Sequence, residues 1–330
     1  MIRTLTVLPV VGLVGLVAGC GGSGSVGSAP VAATGSASTA YSLRVGFIST
    51  NQNWTGPEGY SYAKGSLKAV LTVGGVDQLS LTAFPNGPNL NQALQAGLLD
   101  IGIYGDTPAL VGKAAGLDTR VIAQSSVGSD AWIVTAANGP TTVDKLAGKT
   151  VVVAQGSYID RYVRGVLTLK GLTGKVKLVN IVPPPDQKAA LDRGDVAAVA
   201  ATATNGILLQ KKGYRVIDKA SADHPDLLGT GVTVITEAAL KAHPQLPALW
   251  RKGRESAIDD SAAHAADYYA FQAQVQGIPL DVAQVTAALP QYPKAAFTPE
   301  GRKLIDGTAQ FLVANQFAKK EVDLSQWFLP

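Results

Sequence analysis

The stretch Gly105-Asp106-Thr107-Pro108, inside DIGIYGDTPAL, stops a buried strand and starts a helix within about three residues. A helix that begins beyond a strand end leaves backbone N–H groups unpaired and puts the positive end of its dipole there. That is chemistry for holding an anion. Thr107 can cap this helix and present a hydroxyl. Gly87-Pro88-Asn89 opens another helix, with Pro88 suited to its first turn, and Gly156-Ser157-Tyr158 follows the strand VVVAQ. The loop Thr50-Asn51-Gln52-Asn53-Trp54 offers amides beside an aromatic face. Capping alone explains any one of these residues; several of them beyond strand ends in two lobes favour a ligand cleft.

Residues for turnover are scarce. His224, His243 and His264 sit in polar or helical surface contexts without metal-ligand spacing. There is no nucleophile elbow, phosphate loop or dinucleotide fingerprint, and Ser157 has no base near it in sequence. Asp259-Asp260 reads as a solvated helix face, and Tyr268-Tyr269 as packing. The reading is of a binding protein, with no enzyme activity, metal or cofactor expected. The 28 basic and 24 acidic residues are scattered over 330 positions, which gives nucleic-acid binding little support.

These stretches need a scaffold, and from Tyr41 onward strands and helices alternate. SLRVGFI, LSLTAF, DIGIYG and RVIAQS read as strands, with one helix over Glu58 to Val73. The rhythm restarts at AWIVTA and continues through TVVVAQG, KVKLVNIV and VAAVAAT. It predicts mostly parallel sheets flanked by helices. NQALQAGLLDIGIYG and KAALDRGDVAAVAAT echo each other as helix, glycine stop, acidic residue and buried strand. After GVTVITEAAL the chain is mostly helical. It crosses between lobes near Ser125 to Asp130, where Ser129 can face a ligand, and near Gly229 to Gly231. Lobe 1 is expected over 41–128 plus 232–330, and lobe 2 over 129–231.

The first twenty residues, MIRTLTVLPVVGLVGLVAGC, hold one cation and an apolar run too short to span a bilayer comfortably. The run ends in Val17-Ala18-Gly19 before Cys20, the chain's single cysteine. This resembles a bacterial lipobox: 1–19 would be a signal peptide and Cys20 the lipid-modified first residue. Residues 20–40, rich in Gly, Ser and Ala, read as a flexible tether. A lone cysteine excludes a disulfide within the chain.

The mature chain as a whole resembles the solute-binding lipoproteins of ABC importers, in the branch serving nitrate, taurine and aliphatic sulfonates. The carriers are GPNLNQALQAGLLDIGIYGDTPAL, LAGKTVVVAQGS and VPPPDQKAALDRGDVAAVA, with the tail from Phe297. The resemblance implies a type II periplasmic-binding-protein fold, two α/β lobes joined by a two-segment hinge and closing on one small organic anion. A sulfonate or taurine is expected, passed by a monomeric, exported, lipid-anchored receptor to a permease and its ATPase. It places Gly105, Asp106 and Thr107 on one cleft wall, and Gly156 and Ser157 opposite, with Asn89 nearby. Relatives carry Trp, an acidic residue and Pro where this chain has Thr202-Ala203-Thr204-Asn205. Thr202 and Thr204 would then contact a more polar ligand, with Trp54, Trp132 or Tyr158 as the aromatic face. Asp160 and Arg161, in the first turn after Ser157, can contact the ligand or decorate the helix, and decoration is favoured because acidic residues are common in first turns. Alternatives are nitrate, a sulfate ester, an aromatic acid or a thiamine-precursor pyrimidine as ligand, or a surface sensor that signals without transport.

Overall fold

The computed structural model describes residues 41–330, so the leader, Cys20 and the tether lie outside the described residues. The chain enters in β1 (Tyr41–Ile48), which buries Leu43, Val45 and Phe47. It pairs in parallel with β2 (Val76–Phe84) and β3 (Ile101–Gly105). Between these strands run α1 (Gly56–Ala63), α2 (Ser66–Val73) and α3 (Gly87–Gln95). The single helix expected over Glu58 to Val73 is therefore two. The chain turns at Gly65, whose φ of 79° suits a residue without Cβ. α4 (Asp106–Ala114) follows β3 directly, and β4 (Thr119–Ser129) leads out of this sheet.

The second sheet begins with β5 (Ala131–Thr135) and β6 (Thr150–Val153), then α5 (Tyr158–Leu169) and β7 (Lys177–Asn180). It continues through α6 (Pro184–Asp192), β8 (Ala198–Thr202), α7 (Ala203–Lys211), β9 (Arg215–Lys219) and the short α8 (Ala220–Asp223). β10 (Gly229–Thr236) then returns to the first sheet. Beyond it lie α9 (Glu237–Ala242), α10 (Leu246–Ala263) and α11 (Ala265–Gln276). α12 (Leu280–Thr286), α13 (Pro299–Ala314) and α14 (Leu324–Trp327) complete the chain.

The sheets have the orders β2-β1-β3-β10-β4 and β7-β6-β8-β5-β9, which are one plan used twice. Gly97 and Gly194, with φ of 68° and 75°, end α3 and α6 just before the third strand of each order. The echo read in the sequence is therefore a repeated αβ unit. Parallel pairing was overestimated: β10 runs antiparallel to β3 and β4, and β5 to β8 and β9. Each crossing strand enters its sheet from the other lobe, so it starts where its neighbours end.

Each lobe has its own core. Leu43, Val45, Ile101, Ile122 and Trp250 pack in one, and Val151, Val153, Tyr162 and Val166 in the other. Full burial of such a side chain is worth about 1.5–3 kcal/mol. Two independently packed lobes joined by β4–β5 and β9–β10 can move as bodies around those segments.

Candidate functional site

The carboxyl ends of β3 and β6 lead into α4 and α5 at a seam between the lobes, and there the lobes touch. Pro88 Cγ lies 3.3 Å from where a Cβ on Gly156 would stand. The Arg164 guanidinium sits 4.9 Å from the Phe317 ring centre. Lys303 pairs with Asp226 at 3.2 Å, and Lys211 with Asp281, at the exposed rim. The N-terminal turns of α4 and α5 meet across this seam.

On lobe 1, the helix after Gly105 starts one residue earlier than the cap reading supposed. Gly105 is the capping position, and Asp106 opens α4 with its carboxylate turned onto its own helix. Oδ1 accepts from the Thr107 amide at 2.5 Å and from Thr107 Oγ1 at 3.0 Å, while Oδ2 accepts from Thr308 Oγ1 at 2.9 Å. Thr107 thus spends its hydroxyl inward on Asp106. Asp106 is 0% exposed and Thr107 3%.

On lobe 2, Gly156 takes a φ of 74° and donates its amide to Asp160 Oδ2 at 3.0 Å. Ser157 caps α5: Oγ accepts from the amides of Ile159 and Asp160 and donates to the Ala154 carbonyl at 2.6 Å. Tyr158 is half-buried, its ring against Gly229, and its hydroxyl donates to the Asp130 carbonyl at 3.4 Å. Asp160 and Arg161 are not surface decoration, at 6% and 2% exposed. Arg161 Nη2 donates to the carbonyls of Leu227 at 3.3 Å and Leu228 at 2.7 Å, in the segment leading into β10. Its Nε has no partner.

Asp106 and Arg161 are therefore opposite charges on opposite lobes. Burial pushes the Asp106 carboxyl above its ordinary range, against the pull of Arg161 and of its three hydrogen bonds. Burial likewise lowers the Arg161 guanidinium, and Asp106 opposes that. Among the described residues, no ion pair within 4.0 Å includes either group. Tyr158 is held up by burial first, then by Asp130 and Asp106.

The other sequence-predicted residues surround this centre without converging on it. Thr50, Asn51 and Gln52 are exposed, and Asn51 Nδ2 donates to the Val275 carbonyl at 2.7 Å, which pins the loop to α11. Asn89 is exposed, and its amide is taken by the true cap of α3, Asn86, at 2.9 Å. Thr202 caps α7 through the Asn205 amide at 3.3 Å, and Thr204 is half-buried beside it. Ser129 approaches Ser126 at 3.5 Å, on the crossing.

The expected aromatic faces are engaged. Trp54 stacks near Phe47 and Trp250 in the lobe 1 core. Trp132 donates from Nε1 to Asp130 at 2.7 Å, packs against Gly206 and lies under Lys219. Each histidine has a neighbour: His224 sits 3.1 Å from Asp218, His264 3.0 Å from Asp260, and His243 stacks on Tyr41. His224 is less exposed than its sequence context suggested, its side chain at 15%. Among the described residues, no group of three His, Cys, Asp or Glu side chains could hold a metal.

Sequence reasoning missed Asn86, Thr308 and the role of Arg161. Thr308 is remote in sequence and had no signal. Arg161 had one: Gly165, one helical turn on, lies so close under Leu227 that a Cβ would stand 2.7 Å from its Cδ1. A glycine on that face marks a second buried side of the helix. A groove of about 490 Å³ between α3 and α4 is lined by Pro88, Gln92, Val111 and Leu117 among others. It belongs to lobe 1 alone and has no charged side chain, so the seam is the stronger candidate.

The family described as NMT1/THI5 like matches residues 77–267. A protein of Escherichia coli (strain K12), named for binding aliphatic sulfonates, is 27% identical over 293 residues, 80% of this chain and 86% of its own. The alkanesulfonate-binding protein SsuA from Xanthomonas axonopodis pv. citri, solved bound to MOPS, superposes with a TM-score of 0.71. It is 22% identical and covers 87% of this chain and 98% of its own. The desulfurization enzyme DSZB superposes at 0.63 with 17% identity, over 87% and 96%. The periplasmic-binding-protein fold expected from the sequence is thus the fold observed.

Proposed function

Because this chain belongs to the NMT1/THI5-like family, we propose that it is the ligand-binding receptor of an ABC importer and captures a small organic anion between its lobes. An aliphatic sulfonate is the favoured ligand, since the sulfonate-binding relative spans most of both chains. The single observation that carries the reading is the seam, where two lobes built on one plan bring α4 and α5 together around a buried guanidinium with an unused donor. Residues 41–128 with 232–330 act as one lobe and 129–231 as the other, closing about the two crossings. The receptor is exported and works as a monomer. Cys20 carries its lipid anchor, and 21–40 lets the lobes reach the permease.

The relative named for binding aliphatic sulfonates supports capture rather than turnover, even though an enzyme shares the fold. A ligand that binds only the native state at about 100 times its Kd adds about 2.7 kcal/mol of stability. A thermal-shift panel of taurine, ethanesulfonate, butanesulfonate, nitrate, a sulfate ester and an aromatic acid reads this directly. A sulfonate response is expected. Silence from every anion overturns the receptor reading, and steady product formation from a bound sulfonate overturns the non-enzymatic one.

A further inference from the structure

Arg161 is nearly sealed, at 2% exposed, yet only one end of its guanidinium is used. Nη2 is fixed on two carbonyls of the second crossing, and Nε is left without a partner. A buried polar group without a partner is uncommon because water is no longer there to satisfy it. The one opposite charge that couples to it is Asp106, whose oxygens already accept three hydrogen bonds. The guanidinium is therefore a buried charge fixed through Nη2 on the second crossing, with an Nε–H that has no partner.

We propose that Arg161 is the specificity-determining residue of the seam, its Nε–H donating to an oxygen of the captured sulfonate while Nη2 stays on the crossing. This rests on the receptor reading above. A planar guanidinium suits an oxyanion edge better than an ammonium does, because its donors are set in a rigid fork. A neutral pyrimidine would leave the buried charge unanswered, so the residue selects anions among the ligand classes open from sequence. It also links the ligand to closure. An anion on Nε is joined through one rigid group to Leu227 and Leu228, and so to β10, which begins at Gly229.

The test uses the purified protein with butanesulfonate as probe, in wild type, Arg161→Lys and Arg161→Gln. Calorimetry is expected to show an affinity loss of about 10- to 100-fold in both variants, the range for one charge-assisted hydrogen bond. Melting curves identify a variant that has lost its fold. An arginine Nε–H spectrum of wild type, with the Arg161 signal assigned by its absence from Arg161→Lys, needs no variant to bind. That signal should move on titration, which a purely structural grip on the crossing would not produce. The proposal is overturned if the signal stands still in saturated wild type, or if folded Arg161→Gln binds within twofold of wild type. Wild type that binds no anion of the panel overturns the receptor reading and this proposal together.

Discussion

Two buried charges face each other across the seam, and they are finished to different degrees. Asp106 on lobe 1 accepts from Thr107 twice and from Thr308 once. Arg161 on lobe 2 holds two carbonyls and keeps Nε free. The saturated group is a structural device: it ties the start of α4 to α13 and closes its own helix end. The unsaturated group keeps capacity for something not yet in contact. Burial alone therefore does not mark a ligand residue; at Arg161 it is the unspent donor of a charged group beside the start of α5, at the seam, that does.

The largest effect that would break this contrast is at Asp106. Asp106→Ala leaves the two Thr107 donors without an acceptor and Thr308 with only its Leu304 carbonyl, and about 3 kcal/mol of native stability should be lost in chemical denaturation. Asp106→Asn keeps an acceptor and should lose less than half of that. A smaller effect is expected at Ser157. Removing the α5 cap should cost about 1 kcal/mol in the same experiment. Butanesulfonate affinity should change little, because the hydroxyl is spent on Ala154. A tenfold affinity loss in Ser157→Ala, without loss of stability, would put the ligand on the helix cap instead of on Arg161.

The smallest effects separate two carboxyls with opposite pH signs. Asp281 is held below its ordinary value chiefly by the hydrogen bond from Lys211. Its contribution is present above about pH 3.9 and lost as pH falls through its lowered value. Asp106 is raised by burial, so its contribution is full below about pH 3.9 and falls as pH rises through its raised value. Denaturation midpoints followed from pH 3 to 7 should show Asp106→Asn gaining on wild type as pH rises. Asp281→Asn should show its deficit only above the carboxyl range, and less of it in high salt, since that pair is exposed. Parallel curves for the two variants would remove the distinction between the inner and outer charges of the seam.

Much of the fold was legible because alternation and glycine stops are local signals. Gly97 and Gly194 marked equivalent helix ends, and the crossings lay where small residues collect. Strand direction was not legible: propensity is the same either way along a strand, and β5 and β10 run backwards only because they arrive from the other lobe. The break at Gly65 was hidden inside an unbroken apolar period. At the site, the positions of α4 and α5 were readable from their strand-to-helix turns. The direction in which each hydroxyl would donate was not, since Thr107 and Ser157 both turn inward onto partners set by local geometry. Arg161 was misread because a first-turn charge is ordinarily solvated. Its burial comes from a segment more than sixty residues away, Leu227 and Leu228.

Small-angle scattering from the purified protein, with and without saturating butanesulfonate, tests most directly whether an anion is captured between moving lobes. Contraction of the radius of gyration, with a narrower distance distribution, is the predicted result, because an anion held between the lobes favours the closed arrangement over the open one. A calorimetrically saturated protein whose scattering curve is unchanged would contradict capture at the seam.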